Sequence, residues 1–161
     1  MEIHHLSADN SVLNRFLAEI RDVSIHGDSM RFRRNIERIG EVMAYELSRK
    51  LHYRDAEIQT PLGPKKCTEI SDPLVICSIL RAGLPLHTGF LNVFDGAENG
   101  FVSAYRHHPN NDDYFDIKVE YQAIANINGK TLVLVDPMLA TGQSLVAVYN
   151  RLMERGTPKQ I

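Results

Sequence analysis

Residues 133–145 read VLVDPMLATGQSL, and they place one carboxylate, Asp136, ahead of a small-residue loop. The loop runs through Pro137, Met138, Leu139 and Ala140 to Thr141, Gly142, Gln143 and Ser144. These residue types suit a sugar phosphate. Gly142 lets the backbone approach a ligand closely. Thr141 and Ser144 add hydroxyl donors. Free N–H groups at a helix start attract an anion, and the helix dipole favours its charge. A carboxylate beside an anion is costly unless it bonds something else, and the vicinal hydroxyls of a ribose would serve. The plainer alternative is a strand–turn–helix in which Thr141 or Ser144 only caps the helix. The loop is not a Walker A motif, because no Gly-Lys-Ser/Thr follows, and it is not a GxGxxG fingerprint.

The flanking residues say which elements hold this loop. Thr131–Val135 is apolar without alternation, as in a parallel strand covered on both faces. From Ser144 onward, Leu145, Val148, Tyr149 and Leu152 recur at helical spacing, with Met153 alongside. Gly156 and Pro158 predict the helix stop. The loop therefore lies at the carboxyl end of a strand, where open α/β sheets bind ligands. Two more strands are expected, at Pro73–Leu80 and Phe101–Arg106, with a helix at about 84–93 after the first. The tips of the three strands are Arg81, Arg106 and Asp136, and a parallel sheet would bring them to one cleft.

The rest of the chain predicts a frame around that sheet. A short helix at Ser11–Ile20, capped by Asp9 or Asn10, is followed by a long one at Asp28–Leu51. Phe32, Ile36, Ile39, Met43 and Leu47 form the apolar stripe of the long helix. Its arginines, Arg31, Arg33, Arg34 and Arg38, read as a solvated face in preference to a nucleic-acid surface. Arg33 and Arg34 could also meet acids across a subunit contact. Ala56–Ile70 predicts a hairpin arm, with QTPLGPKK (Gln59–Lys66) as its turn and Gly63 and Pro64 as punctuation. Phe115, Ile117, Val119 and Tyr121 alternate as in a half-exposed antiparallel strand, which suits a flap. Asn128-Gly129 is a turn. His107–Asp113 is a polar loop: His107 and His108 are a poor metal pair, and Asp112 and Asp113 read as an exposed acidic tip. His87 reads as structural. The expected fold is α/β, a parallel sheet flanked by helices, forming one domain over 1–161 with an N-terminal helical extension and a β-hairpin arm.

A chain of 161 residues can bury a real core. It is 43% apolar and 24% charged, as globular domains are, and its net charge of −2 gives no reason to expect nucleic acid or an anionic membrane. Two cysteines, Cys67 and Cys77, in unlike surroundings argue against a disulfide framework and for a reducing cytoplasm. No signal-peptide layout opens the chain, and no apolar run approaches a membrane span.

VDPMLATGQS also closely resembles the phosphoribosyl diphosphate (PRPP) motif of uracil phosphoribosyltransferases, usually written DPMLATGGS. ILRAGLP at Ile79–Pro85 and SAYR at Ser103–Arg106 resemble that family's other two signatures, in the same order. Gln143 departs from the family, which has glycine there. The resemblance implies transfer of the phosphoribosyl group of PRPP to uracil, giving UMP and diphosphate. It implies a 5′-phosphate cradle at Ala140, Thr141, Gly142, Gln143 and Ser144, a ribose anchor at Asp136, and diphosphate cations at Arg81 and Arg106. Arginine suits that task because its planar fork bonds phosphate oxygens in pairs. It implies Mg²⁺ carried by the substrate, with no protein metal cage. A homodimer or higher homo-oligomer is expected, and some members of the family respond to GTP. The resemblance also places a glycine-rich, uracil-reading loop beyond Ile161. The expectation is therefore a chain shortened at its base-binding part and inactive alone. Two other classes stay open: a PRPP-binding regulator that contacts RNA through the arginine helix, and an inactive structural relative.

Overall fold

The structure, a computed structural model, describes residues 2–107 and 116–161. The polar loop expected at His107–Asp113 falls, beyond His107, outside the described residues.

Two helices open the chain. α1 (Val12–Arg21) is preceded by Ser11, whose side chain makes no capping bond; of the expected caps, Asp9 offers its carbonyl to the Asn14 side chain. α2 (Ser29–Ser48) is capped by Asp28, whose carboxylate accepts the N–H groups of Met30 and Arg31. Its buried face is Asn35, Ile36, Ile39, Gly40 and Ala44, while Phe32 and Met43 of the expected stripe are exposed. Three of the four arginines of α2 are engaged within the chain. Arg31 pairs with Glu19 and Asp28, Arg34 pairs with Glu37, and Arg38 bonds Asn35 and lies over the Phe16 ring.

β1 (Tyr53–Thr60) and β2 (Gly63–Ile70) form a separate two-stranded antiparallel arm. Thr60 is opposite Gly63, so Pro61 and Leu62 make the turn and Gly63 opens β2 at φ 124°. The turn thus lies within the expected Gln59–Lys66 stretch. Gly63 takes the positive-φ position that a side chain resists.

The main sheet has β3 (Leu74–Leu80), β4 (Glu98–His107), β5 (Asp116–Ile124) and β6 (Thr131–Val135) in the order β5-β4-β3-β6. β3 is parallel to both β4 and β6, and β5 is antiparallel to β4. The alternating segment expected as a flap is therefore the outer strand of this sheet. α3 (Leu84–Leu91) follows β3, and α4 (Gln143–Met153) follows β6.

Both faces of the sheet are covered, which is why β3 has no polar alternation. Leu74 and Ile76 of β3 join Ile36, Ile39, Leu86 and Phe90 in one core, under α2 and α3. Val75, Cys77 and Ile79 join Val102, Leu132, Val148 and Leu152 in the other, under α4. Burial pushes the Cys77 thiol up to about 12, so it behaves as a core side chain. α2 and α3 cross at Gly40 and Gly89, where a Cβ on Gly89 would stand 2.1 Å from the Glu37 carbonyl and 2.9 Å from the Gly40 Cα. Beyond α4, Leu132 donates to the Gln160 carbonyl, and Thr131 and Gln160 form a parallel bridge.

Candidate functional site

β3 and β6 are neighbours, and Ser78 lies opposite Val135. Arg81 and Asp136, the residues just past these strand ends, therefore emerge at the same end of neighbouring strands. β4 flanks β3 on the other side, with Ser103 opposite Leu80. Arg106 lies three residues further on, about 10 Å along an extended strand, where β4 continues against Ile117 of β5. The backbone thus places all three expected tips at one end of the sheet, with Arg106 standing forward of the others. The Arg106 side chain is outside what is described.

The turn after β3 owes its shape to close packing. Leu80–Arg81 is a cis peptide. The φ of −68° and ψ of −16° at Gly83 are ordinary helical values. Space is what it supplies. A Cβ there would stand 2.5 Å from Ser78 Oγ, 2.7 Å from the Ile79 carbonyl and 2.9 Å from the Val135 carbonyl. Without that Cβ, the turn folds down onto the ends of both strands and leaves Arg81 exposed above them. Arg81 is in none of the ion pairs formed among the described residues.

At the β6 tip the loop rises to α4. Gly142 is the residue before the helix and has φ 77° and ψ −4°, a left-handed conformation that glycine adopts at no steric cost. Gln143 N–H points back to Thr141 Oγ1 at 3.4 Å. The first bond within the helix runs from Val146 N–H to the Gly142 carbonyl, so the N–H groups of Ser144 and Leu145 precede it and open on the loop. No acid occupies the first turn. This is the arrangement an anion needs. Thr141 and Gln143 are exposed and Ser144 is half-buried, while Met138 and Leu139 present their side chains to solvent. Those two, with Pro137, are positioned to contribute backbone more than chemistry.

Asp136 is half-buried beneath this loop. Burial pushes its carboxyl above the usual carboxylate range, and a hydrogen bond from the Met138 N–H partly offsets that. A half-buried carboxylate with one backbone donor has acceptor capacity left, which hydroxyl donors can fill. His87 is buried in the core, with Nε2 2.7 Å from Asn99 Oδ1 and its ring against Phe101, consistent with a structural role.

The uracil phosphoribosyltransferase family model matches residues 7–161. A uracil phosphoribosyltransferase of Porphyromonas gingivalis is 53% identical over the whole chain, which covers 74% of that relative. The chain belongs to the uracil phosphoribosyltransferase family. A member from Methanothermobacter thermautotrophicus is 38% identical over 93% of the chain and 68% of its own length. Among solved structures, the AQ2163 protein of Aquifex aeolicus matches with a TM-score of 0.77 at 25% identity, over 96% of this chain and 70% of that one. A hypoxanthine phosphoribosyltransferase of Staphylococcus aureus shares the fold, with a TM-score of 0.55 at 15% identity over 78% of this chain and 58% of that one.

Two features carried no signal in the sequence, one under the Arg81 turn and one at the opposite end of β3. Ser78, inside an apolar strand, is fully buried under the Gly83 turn. Asp72, just before β3, is buried and accepts the His52 N–H at 2.7 Å and Lys159 Nζ at 2.8 Å, with His52 Nδ1 at 2.9 Å. These partners are 20 and 87 residues away, so no spacing rule would pair them.

Proposed function

We infer that this chain serves the transfer of the phosphoribosyl group from PRPP to uracil, forming UMP and diphosphate. The observation that carries the reading is the β6–α4 junction in a member of this family: one half-buried carboxylate, then a left-handed glycine, then helix N–H groups open to an anion. In this reading the residues 140–144 hold the 5′-phosphate and Asp136 accepts from the ribose hydroxyls. Arg81 and Arg106 neutralise the diphosphate as it departs. Glycosyl transfer develops oxocarbenium-like charge at C1′, so positioning and charge neutralisation are the contributions required of the protein. No cluster of three metal-ligating side chains occurs among the described residues, and a lone half-buried carboxylate fits a Mg²⁺ that arrives on substrate oxygens. When bound, that ion would add positive charge at the leaving group.

The reading extends to a homo-oligomer, in line with the solvent-facing Phe32, Met43 and Tyr45 of α2 and Leu62 at the arm tip. A twofold dimer is the default; sedimentation as a monomer at micromolar concentration would remove this part. A GTP response would be seen as raised turnover on adding GTP. Arginines already committed to Glu19, Asp28 and Glu37 weigh against an RNA surface on α2. Among the described residues no helix is long and apolar enough to cross a membrane.

The test of the reading is conversion of labelled uracil and PRPP to UMP by the full-length protein, with hypoxanthine as the competing base. Product from uracil alone is expected. Product from hypoxanthine in its place, or no product at all, would overturn the uracil assignment.

A further inference from the structure

The Ser78 hydroxyl is the strongest unassigned feature near the site. It is fully buried in β3, and its Oγ makes no hydrogen bond among the described residues. Buried hydroxyls ordinarily find partners, because leaving one unmade costs its full desolvation. This one lies under the turn that presents Arg81. Ser78 Oγ, the Ile79 carbonyl and the Val135 carbonyl all crowd the same side of Gly83. The Ile79 carbonyl already accepts from the Gly83 N–H at 3.0 Å. Of the three oxygens only Ser78 carries a proton to give. Val135 is the last residue of β6, and the next is Asp136.

We propose that Ser78 is a positioning residue for PRPP: when ligand occupies the site, its hydroxyl donates to the Val135 carbonyl and clasps the Arg81 turn to the Asp136 tip. This rests on the function inferred above. The group thus stays uncommitted in the free protein and makes its bond in the complex. Binding energy gained by the ligand in this way sets the distance between the diphosphate cation and the ribose anchor.

The clasp separates two measurements that a purely structural serine would move together. Ser78→Ala removes a hydroxyl that has no partner in the free protein, so the thermal midpoint without ligand should hold or rise. PRPP binding, measured by calorimetry with Mg²⁺ present, should weaken about three- to tenfold. Ser78→Cys keeps the volume with only a weak donor, so it guards against a collapse of the alanine variant and should lose affinity likewise. Wild-type affinity in both variants overturns the clasp. So does a fall in affinity that only tracks a fall in the ligand-free midpoint. Wild type that does not bind PRPP would instead remove the underlying function, and the clasp with it.

Discussion

Asp136 shows how much chemistry one residue can reveal and how much it hides. Its place ahead of Thr141, Gly142 and Ser144 at a strand–helix junction was legible from the apolar run before it and the helical spacing after it. Its energetics were not. Burial holds its carboxyl above the ordinary range, so ionising it opposes folding. That penalty is present above the raised pKa and is relieved as the pH falls through it. Asp136→Asn should therefore raise the thermal midpoint of the ligand-free protein at neutral pH while weakening PRPP. A lowered midpoint would show that the carboxylate stabilises the fold and that the site is not held at a cost. In the wild type, PRPP affinity should start to fall on the acid side before the ordinary carboxylate range is reached. Gly83 teaches the complementary lesson. A glycine in LRAG is visible, but only the packing shows that it serves a close approach and not a positive φ.

At the scale of elements, the three parallel strands were legible from their apolar runs, since strands covered on both faces cannot alternate. The strand order was not, because nothing local distinguishes a centre strand from its neighbour. The arm was legible too, turn included: the corner is Pro61-Leu62, inside the QTPLGPKK stretch, and Gly63 begins the return strand. The stripe of α2 divides, with Ile36 and Ile39 buried and Phe32 and Met43 exposed, because its centre is set by the close crossing with α3 at Gly40 and Gly89. That crossing holds the helix that follows the Arg81 turn. Gly89→Ala would drive a methyl group into the Glu37 carbonyl, and it should cost about 1–3 kcal/mol as overpacking does. Urea unfolding is the check, and an unchanged midpoint would mean that the helices separate without loss.

For the whole molecule, the Asp72 cluster ties together parts distant in sequence: the base of the arm at His52, the start of β3, and Lys159 beside β6. The His52 N–H first, and Lys159 next, hold its carboxyl well below the usual range. The folded pKa lies below the unfolded value of about 3.9, so the contribution is complete above about pH 4 and is lost as the pH falls below that. Asp72→Asn should destabilise the protein by about 1–3 kcal/mol at pH 7, and the gap to wild type should narrow in acid. A gap that stays constant down to pH 3 would assign the loss to packing. The chain spans 74% of the Porphyromonas gingivalis relative and 68% of the Methanothermobacter thermautotrophicus one.

The central claim is that the 136–144 loop and Arg81 hold PRPP, and calorimetric titration of PRPP with Mg²⁺ tests it most directly. Wild type, Thr141→Ala and Arg81→Ala would be compared, each shown folded by its circular dichroism. The account predicts saturable binding by wild type, affinity lowered about tenfold in Thr141→Ala, and a larger loss in Arg81→Ala, because hydrogen bonds to charged groups contribute about 1.5–3 kcal/mol. Affinity unchanged in both folded variants would contradict it.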